Sequence, residues 1–497
     1  MNRPLPAVVV SLPARTVAEV SREVAAARDA GADLAEVRVD RLGPGEFHRL
    51  TNLFPSPLPL IATLRSRAEG GEGPDATEER AELLTSIARH PFRWIDIELA
   101  RDQEVAEAIR ARGSLGLIVS SHSATPVSAA VWGHLIRAPA PKDAVRKVVV
   151  SASIGQLLRD LIPDLPPVGE VPLVALTTGA SGPVLRVWSR RFGFPLVFAS
   201  LPSNGKSTGK VEASQIPVNR LAPFLRADGS PPLFGLAGHR IAYSMSPELH
   251  SRWMSERDKV GLYVALDFEN EREFVDSVPA LVEGGFRGLN VTQPFKHVAL
   301  ELATDTRPSA QACGVANTLT FEEDGVVAEN TDLAAVLRRL EELRSEGRWN
   351  GGTMAVVGGG GAARATLAAA RSLRADAVLW ARRDSEATRL ASEFGARPCS
   401  EPHREEPELV VHATTVGREA AGSVPAPISV WARPGVHVLD WVYAPVDPAV
   451  SETVLRQGAT YEDGMRLLYY QAAASFAIWW GEEPQVEPVL EVPEERS

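Results

Sequence analysis

Short apolar runs rich in β-branched residues recur through the first two hundred residues. They occupy 7–12 (AVVVSL), 35–40 (AEVRVD), 58–65 (LPLIATLR), 94–99 (WIDIEL), 115–122 (LGLIVSSH), 145–152 (VRKVVVSA), 171–178 (VPLVALTT) and 195–201 (PLVFASL). Between them lie polar-and-apolar stretches such as TVAEVSREVAAARDAGA and RDQEVAEAIRARG, whose apolar positions fall at i, i+3, i+4 and i+7 and so predict amphipathic helices. Eight strand–helix units at this spacing predict a closed (β/α)8 barrel. An open doubly wound sheet is the rival arrangement; the number and regularity of the units favour closure.

The pattern changes after residue 222. The segment 223–232 (PFLRADGSPP) is dense in proline, glycine and polar residues and reads as a linker. A second αβ region runs from 233 to about 340. A third opens at 353–370 (TMAVVGGGGAARATLAAA) with an apolar strand, a glycine turn and an alanine-rich helix. The segment 464–480 (GMRLLYYQAAASFAIWW) is apolar on most of a helical surface and should be buried, whereas the acidic, proline-bearing tail after Gly481 should fray.

A chain of 497 residues has room for two or three domains. With 44% hydrophobic and 23% charged residues it has the balance of a soluble globular protein. Its net charge of −11 argues against a nucleic-acid binder, which needs a basic face. Two cysteines, Cys313 and Cys399, suit neither a disulfide framework nor a four-sulfur zinc site, which fits a reducing cytoplasm. The N-terminal apolar run is too short for a secretion signal, and no stretch approaches the ~20 apolar residues of a membrane span. The histidines lack ligand spacing, so no metal is expected.

In a parallel barrel, chemistry gathers where strands end. Those ends carry Ser11, Glu36, Arg38, Arg65, Glu69, His122 and Lys147, with Arg186 in the loop after the seventh strand. A lone arginine there would ordinarily be a solvated rim residue; the convergence of the seven strand-end groups on one mouth is what points to a site. Lys147 lies among β-branched neighbours in RKVVV and should point inward. A buried amine needs a partner or must be neutral, so it is either ion-paired with Glu36 or Glu69, or a nucleophile. His122 could shuttle a proton near neutral pH, oriented by Glu69.

The segments Glu36-Val-Arg38-Val-Asp40, Arg65-Ser-Arg-Ala-Glu69-Gly-Gly71, Ser120-Ser-His122 and Arg146-Lys147-Val148 resemble the signatures of type I 3-dehydroquinate dehydratase. They appear in the family's order across most of residues 6–225. The resemblance implies that Lys147 forms a Schiff base with the substrate ketone. His122 would remove the proton alpha to the iminium and return it to the leaving hydroxyl, with Glu69 holding the imidazole. It further implies that Ser11, Glu36, Arg38, Arg65, Arg186 and Gln215 hold substrate, guanidiniums suiting its carboxylate. The serine expected four residues before Gln215 is Val211 here, with Ser207 or Ser214 as the available hydroxyls.

In the second half, the glycine turn between a strand and a helix can admit a phosphate to helix N-terminal N–H groups, although such turns also form for packing reasons. The next strand, 377–381, ends at Arg382-Arg383 rather than at an acid that would bind a ribose 2′-hydroxyl. Two guanidiniums there suit a 2′-phosphate, hence NADP; the alternative is a solvated basic turn. Ser244 with Ser246, Asn290-Val-Thr292-Gln-Pro-Phe-Lys296, Gly314-Val-Ala-Asn317-Thr, Asn330-Thr-Asp332, the glycine turn and Asp463-Gly464 with Gln471 together resemble shikimate dehydrogenase. That resemblance implies Lys296 and Asp332 as the catalytic pair and Ser244 and Ser246 at the substrate carboxylate. Thr292, Asn317, Tyr443 and Gln471 would touch ring hydroxyls. Gly358, Gly360, Gly361, Ala362, Arg382, Arg383, Thr414 and Gly464 would lie at the cofactor. Arg240 and Tyr243 stand where the family usually has Pro and His, Leu333 replaces a glycine, Ala381-Arg382-Arg383 replaces Asn-Arg-Thr, and His412 replaces an asparagine.

The expected architecture is therefore α/β: a TIM barrel over 1–225, a substrate-binding domain over 233–345 completed by the helix at 464–482, and a Rossmann NADP-binding domain over 346–463. The two resemblances imply consecutive steps, 3-dehydroquinate to 3-dehydroshikimate and then, with NADPH, to shikimate. Two alternatives stay open. A catalytically silent metabolite sensor would have lost catalytic groups, yet all five are present; or the second half acts on quinate with NAD.

Overall fold

The computed structural model describes residues 5–111, 115–202, 215–418, 423–443 and 447–485. Its first sheet contains the eight expected strands: β1 Ala7–Leu12, β2 Leu34–Arg38, β3 Leu60–Thr63, β4 Trp94–Glu98, β5 Gly116–Pro126, β6 Val145–Ser151, β7 Leu173–Thr178 and β8 Leu196–Ala199. They are hydrogen-bonded in the order β7-β6-β5-β4-β3-β2-β1-β8, all parallel, so the barrel is closed except at the seam between β7 and β8. Val9, Leu34, Ile61, Ile118, Val145, Val174, Leu196 and Phe198 form one buried cluster. Each such side chain contributes roughly 1.5–3 kcal/mol by leaving water. The helices between strands start where the sequence supplies caps. Thr16 accepts the N–H of Glu19 while the Glu19 carboxylate accepts the N–H of Thr16, a reciprocal box that opens the helix Val17–Asp29.

The expected linker at 223–232 is corrected at its start. Pro223 lies inside the helix Val218–Arg226. The lost N–H removes one ladder bond, but Leu221, Phe224 and Leu225 on the same helix are buried, and that burial outweighs it.

The chain forms two compact units whose limits are not simply sequential. The first contains residues up to Leu233 together with Arg240–Tyr243 and Asp258–Gly285; the second contains Phe234–His239, Ser244–Arg257 and everything from Phe286 onward. Within the first unit, the helix Glu271–Glu283 is tied to the barrel segment by a hydrogen bond from the Gly155 N–H to Glu273 Oε1 (2.6 Å), and Trp188 Nε1 donates to the carbonyl of Gly284 (2.8 Å).

In the second unit, which takes in β9 Leu233–Gly238 from Phe234 onward, β9 and β10 Phe286–Val291, β11 Asp305–Thr306, β12 Thr318–Glu322 and β13 Gly325–Glu329 run side by side in the order β9-β10-β12-β13-β11. A separate parallel sheet consists of β14 Met354–Val357, β15 Ala377–Trp380, β16 Arg397–Pro398, β17 Leu409–His412, β18 His437–Asp440 and β19 Thr460–Glu462, in the order β16-β15-β14-β17-β18-β19. Numbered from its own first strand this order is 3-2-1-4-5-6, the Rossmann arrangement, and its topological switch point lies between β14 and β17. The final helix, Met465–Trp480, buries Leu467, Leu468, Ala472, Ala473 and Phe476 and ends on Gly481 at φ +73°, a C-terminal stop that glycine adopts without steric cost. Among the described residues, no helix is long and apolar enough to cross a membrane.

Candidate active sites

At the barrel mouth the register sets ionisable side chains beside one another: Ser11 pairs with Glu36, Thr63 with Asp96, and Ser120 with Lys147 across adjacent strands. Lys147 is 5% exposed and points inward as expected. Its Nζ lies 3.3 Å from Glu36 Oε1 and 3.2 Å from Asp96 Oδ2, with the Phe198 ring centroid at 4.0 Å. Glu36 also accepts hydrogen bonds from Ser11 Oγ and, at 2.8 Å, from Thr63 Oγ1. Of the two ion-pair partners expected for Lys147, Glu36 is present. Glu69 is instead committed elsewhere, and Asp96 takes its place.

Arg65 anchors the neighbouring cluster. Its guanidinium donates to Glu69 Oε2 (3.0 Å), Asp96 Oδ1 (2.9 Å), Glu98 Oε1 (3.3 Å) and Ser120 Oγ (2.9 Å). The loop that presents Glu69 folds back tightly. A Cβ at Gly71 would stand 2.2 Å from the carbonyl oxygen of Arg65, so only glycine permits that turn. Glu69 Oε2 accepts both the backbone N–H of His122 and a contact from its Nδ1, each at 3.1 Å. Burial pushes the Glu69 carboxyl up to about 7; Arg65 opposes the rise, and Glu98 and Asp96 add to it. His122 is held well below its ordinary value, first by burial and then by the charges of Arg65, Lys147 and Arg38. The imidazole is therefore neutral near pH 7, with Nδ1 directed to Glu69 and Nε2 available as a base. Asp96 is fully buried; burial alone would raise it, but Arg65, Lys147 and the Ser120 hydroxyl hold it below the ordinary value.

Asp96 and Glu98 were not singled out from the sequence. They alternate with Ile95 and Ile97 in one strand, which places both on the face opposite those isoleucines; that alternation was the available signal. Arg38 is gripped by Asp40, Nε to Oδ1 at 2.9 Å and Nη2 to Oδ2 at 2.7 Å.

Arg186 departs from its expected loop position. It lies in the short helix Gly182–Val187, 4% exposed. Its guanidinium donates to the carbonyls of Phe198 (3.0 Å), Thr177 (3.0 Å) and Gly182 (2.7 Å). It thus bridges β7 and β8 at the seam where the ladder is missing. Helix-initiating Gly182-Pro183 after β7 is the reason, since proline fits a first helical turn. Gln215 is half-buried; Ser207, Val211 and Ser214 lie outside the described residues.

In the second unit, Lys296 opens the helix Lys296–Glu301, and its Nζ lies 2.5 Å from Asp332 Oδ2. Asp332 sits in the first turn of the helix Thr331–Ser345, whose cap is Asn330: its Oδ1 accepts the Leu333 N–H at 3.2 Å. Asn317 holds the other carboxylate oxygen, Nδ2 to Asp332 Oδ1 at 2.9 Å, and accepts the Thr331 N–H at 2.7 Å. Asn317, expected at ring hydroxyls, is thus engaged in fixing the acid. Ser244 Oγ and Ser246 Oγ are 3.3 Å apart. Thr292 is half-buried, and Gln471 donates to the carbonyl of Leu468 in its own helix at 3.1 Å. Arg418 stacks on the Tyr443 ring, 4.6 Å from its centroid.

The glycine turn follows β14. Gly358 has φ +137°, and a Cβ there would stand 2.4 Å from the carbonyl oxygen of Ala413; a Cβ at Gly361 would stand 2.7 Å from Lys296 Cδ. The bare backbone thus brings the start of the twelve-residue helix Gly361–Ser372, with Ala362 in its first turn, against the lysine. A helix N-terminus opened by glycines at a switch point accommodates a dinucleotide pyrophosphate. Arg382 and Arg383 follow β15 and are exposed; Arg383 donates to Glu386 Oε2 at 3.1 Å. Thr414 follows β17, and Gly464 precedes the last helix. Among the described residues no three His, Cys, Asp or Glu side chains are grouped to hold a metal.

Residues 8–230 match the family described as Type I 3-dehydroquinase, and residues 236–319 match the shikimate dehydrogenase substrate binding domain. A Dinoroseobacter shibae shikimate dehydrogenase (NADP(+)) is 33% identical over 267 residues, which is 52% of this chain and 95% of that protein. The chloroplastic bifunctional 3-dehydroquinate dehydratase/shikimate dehydrogenase of Arabidopsis thaliana is 28% identical over 491 residues, covering 92% of this chain and 79% of that one. A solved Thermus thermophilus shikimate 5-dehydrogenase, in complex with NADP(H) and shikimate, is 30% identical over 51% of this chain and 95% of that one, with a TM-score of 0.47.

Proposed function

The chain belongs to the shikimate dehydrogenase family and carries a type I 3-dehydroquinase ahead of it, and we propose how its residues divide the work of the two reactions. It is a bifunctional 3-dehydroquinate dehydratase and shikimate dehydrogenase that uses NADP. We assign dehydration to residues 1–225, shikimate-site residues to 233–345 with the helix at 464–482, and the cofactor to 346–463.

In the barrel, Lys147 Nζ attacks the ketone carbon of 3-dehydroquinate, and water leaves to give an iminium. The iminium withdraws electrons from the adjacent carbon, so His122 Nε2 can take its proton. The electron pair moves to expel the hydroxyl on the next carbon, which receives that proton and departs as water. Water then hydrolyses the iminium, releasing 3-dehydroshikimate and the free amine. Glu69 accepts from Nδ1 and so keeps Nε2 as the basic nitrogen. Glu36 and Asp96 accept the protons of Lys147 on either side and aim Nζ into the mouth, while Arg38 and Arg65 supply positive charge for the substrate carboxylate.

In the second unit, bound NADPH supplies the reducing equivalents. Lys296 gives a proton to the carbonyl oxygen being reduced, and Asp332, held at one oxygen by Asn317 and at the other by Lys296, fixes and recharges the ammonium. Ser244 and Ser246 hold the carboxylate, and Arg382 with Arg383 would hold the 2′-phosphate of the bound cofactor. The two unpaired, buried thiols support a reducing cytoplasm as the compartment.

The observation that carries this reading is Lys147, an inward-facing amine between Glu36 and Asp96 beside the Glu69–His122 pair. Adding borohydride to the protein with 3-dehydroquinate should leave a reduced adduct on Lys147 by peptide mass spectrometry; an adduct confined to another lysine, or none, refutes it.

A further inference from the structure

At the switch point of the Rossmann sheet, β14 is flanked by β17, and the register sets Val357 beside His412 and His412 beside Asp440. His412 is completely buried. Its Nε2 lies 2.6 Å from Thr414 Oγ1, and its Nδ1 lies 3.0 Å from Asp440 Oδ1, off the straight line of an ideal hydrogen bond. Asp440 is otherwise satisfied: the Val442 N–H donates to Oδ1 at 2.8 Å and the Tyr461 hydroxyl to Oδ2 at 2.9 Å. Burial and Asp440 both raise the Tyr461 phenol, which therefore remains a donor. Thr414 in turn accepts the N–H of Val416 at 3.2 Å, and its methyl lies beside the glycine turn, 3.3 Å from where a Cβ on Gly358 would stand.

These contacts determine where the protons are. A bare lone pair on Nδ1 facing a carboxylate oxygen at this distance would be repelled, so Nδ1 carries a hydrogen, and in the ring with that single hydrogen Nε2 is the acceptor. Thr414 then has to donate its single hydroxyl hydrogen to Nε2, and only lone-pair density on its oxygen is left to face outward. We propose that His412, oriented by Asp440, is a positioning residue that fixes Thr414 as an obligate hydrogen-bond acceptor at the glycine turn, selecting an N–H or O–H donor of the dinucleotide: the nicotinamide carboxamide or a ribose hydroxyl. The proposal deepens the assignment of Thr414 to the cofactor site and rests on it.

The test is direct NADPH binding by the full chain, measured by calorimetry. Thr414→Val and His412→Phe should each raise Kd roughly five-fold, the effect of one lost hydrogen bond, and the double variant should bind no worse than either single one. Thr414→Ser, which keeps the hydroxyl but loses the methyl, should bind more tightly than Thr414→Val. Nitrogen-15 spectra of the ligand-free protein should show a protonated Nδ1 and an unprotonated Nε2 at His412. His412→Phe keeps an aromatic ring, somewhat larger than the imidazole, and leaves Asp440 with two donors; if it fails to fold, the Val and Ser variants at 414 decide alone. An analogue with an acetyl group in place of the carboxamide separates the two donors: loss of the Thr414→Val penalty assigns the carboxamide, and its persistence assigns a ribose hydroxyl. Additive effects, unchanged binding in Thr414→Val, or a protonated Nε2 would overturn the proposal while leaving the reductase assignment intact. Failure of the parent to bind NADPH would overturn both.

Discussion

Replacing Glu69 by Gln removes one charge from the barrel mouth while keeping the shape and one acceptor oxygen. In the parent, Glu69 Oε2 receives Arg65, the His122 backbone and His122 Nδ1, all within 3.1 Å. With its carboxyl pushed to about 7 and His122 held well below its ordinary value by burial, the group whose ionisation switches on the base near pH 7 is Glu69. The parent's dehydratase kcat/KM should therefore rise as pH increases through about 7. A charged acceptor exceeds a neutral one by about 1–2 kcal/mol, so Glu69→Gln should be roughly 5–30-fold slower at pH 8 yet within about three-fold of the parent at pH 5.5. Stability carries the opposite sign. The native state keeps a proton on Glu69 that the unfolded chain, at about 4.5, has released. The contribution is complete below pH 4.5 and is lost as pH rises through about 7, a change of about 3 kcal/mol at ~1.4 kcal/mol per unit. Urea unfolding from pH 5 to 8 should accordingly show a smaller decline for the Gln variant. A rate profile for Glu69→Gln that still climbs through pH 7 would refute the assignment.

Asp96→Asn should lower unfolding free energy by about 3 kcal/mol, because Arg65 and Lys147 lose a buried counter-charge; since Asp96 is held low, its benefit is present at neutral pH and fades on acidification, so the two proteins' urea midpoints should converge toward pH 3. Lys296→Ala should slow the turnover of bound 3-dehydroshikimate to shikimate by roughly 10²-fold or more, and parental turnover would remove Lys296 from the mechanism. Arg382→Ala should raise KM for NADPH about ten-fold with little change for NADH, and more than Arg383→Ala does, because Arg383 is shared with Glu386; equal losses with both cofactors would exclude a 2′-phosphate contact.

The barrel strands were legible because β-branched runs alternate with helical spacing, a pattern that local sequence carries by itself. The inward direction of Lys147 followed from its neighbours in RKVVV, but its partners did not. Choosing Asp96 over Glu69 depends on the register of four strands, which no single segment encodes. Arg186 was legible in chain order, whereas its contacts to Thr177 and Phe198 depend on a seam visible only in the assembled sheet. The proline in the helix Val218–Arg226 shows composition overruled by burial. The grouping of Asp258–Gly285 with the first unit rests on contacts such as Glu273 with Gly155, which lie more than a hundred residues apart and leave no periodic trace.

The most direct test of the two-site mechanism supplies purified protein with 3-dehydroquinate and NADPH and follows NADPH absorbance. The mechanism predicts loss of NADPH with shikimate as product, and no loss in Lys147→Ala until 3-dehydroshikimate is added. Undiminished NADPH in the parent with either substrate would contradict it.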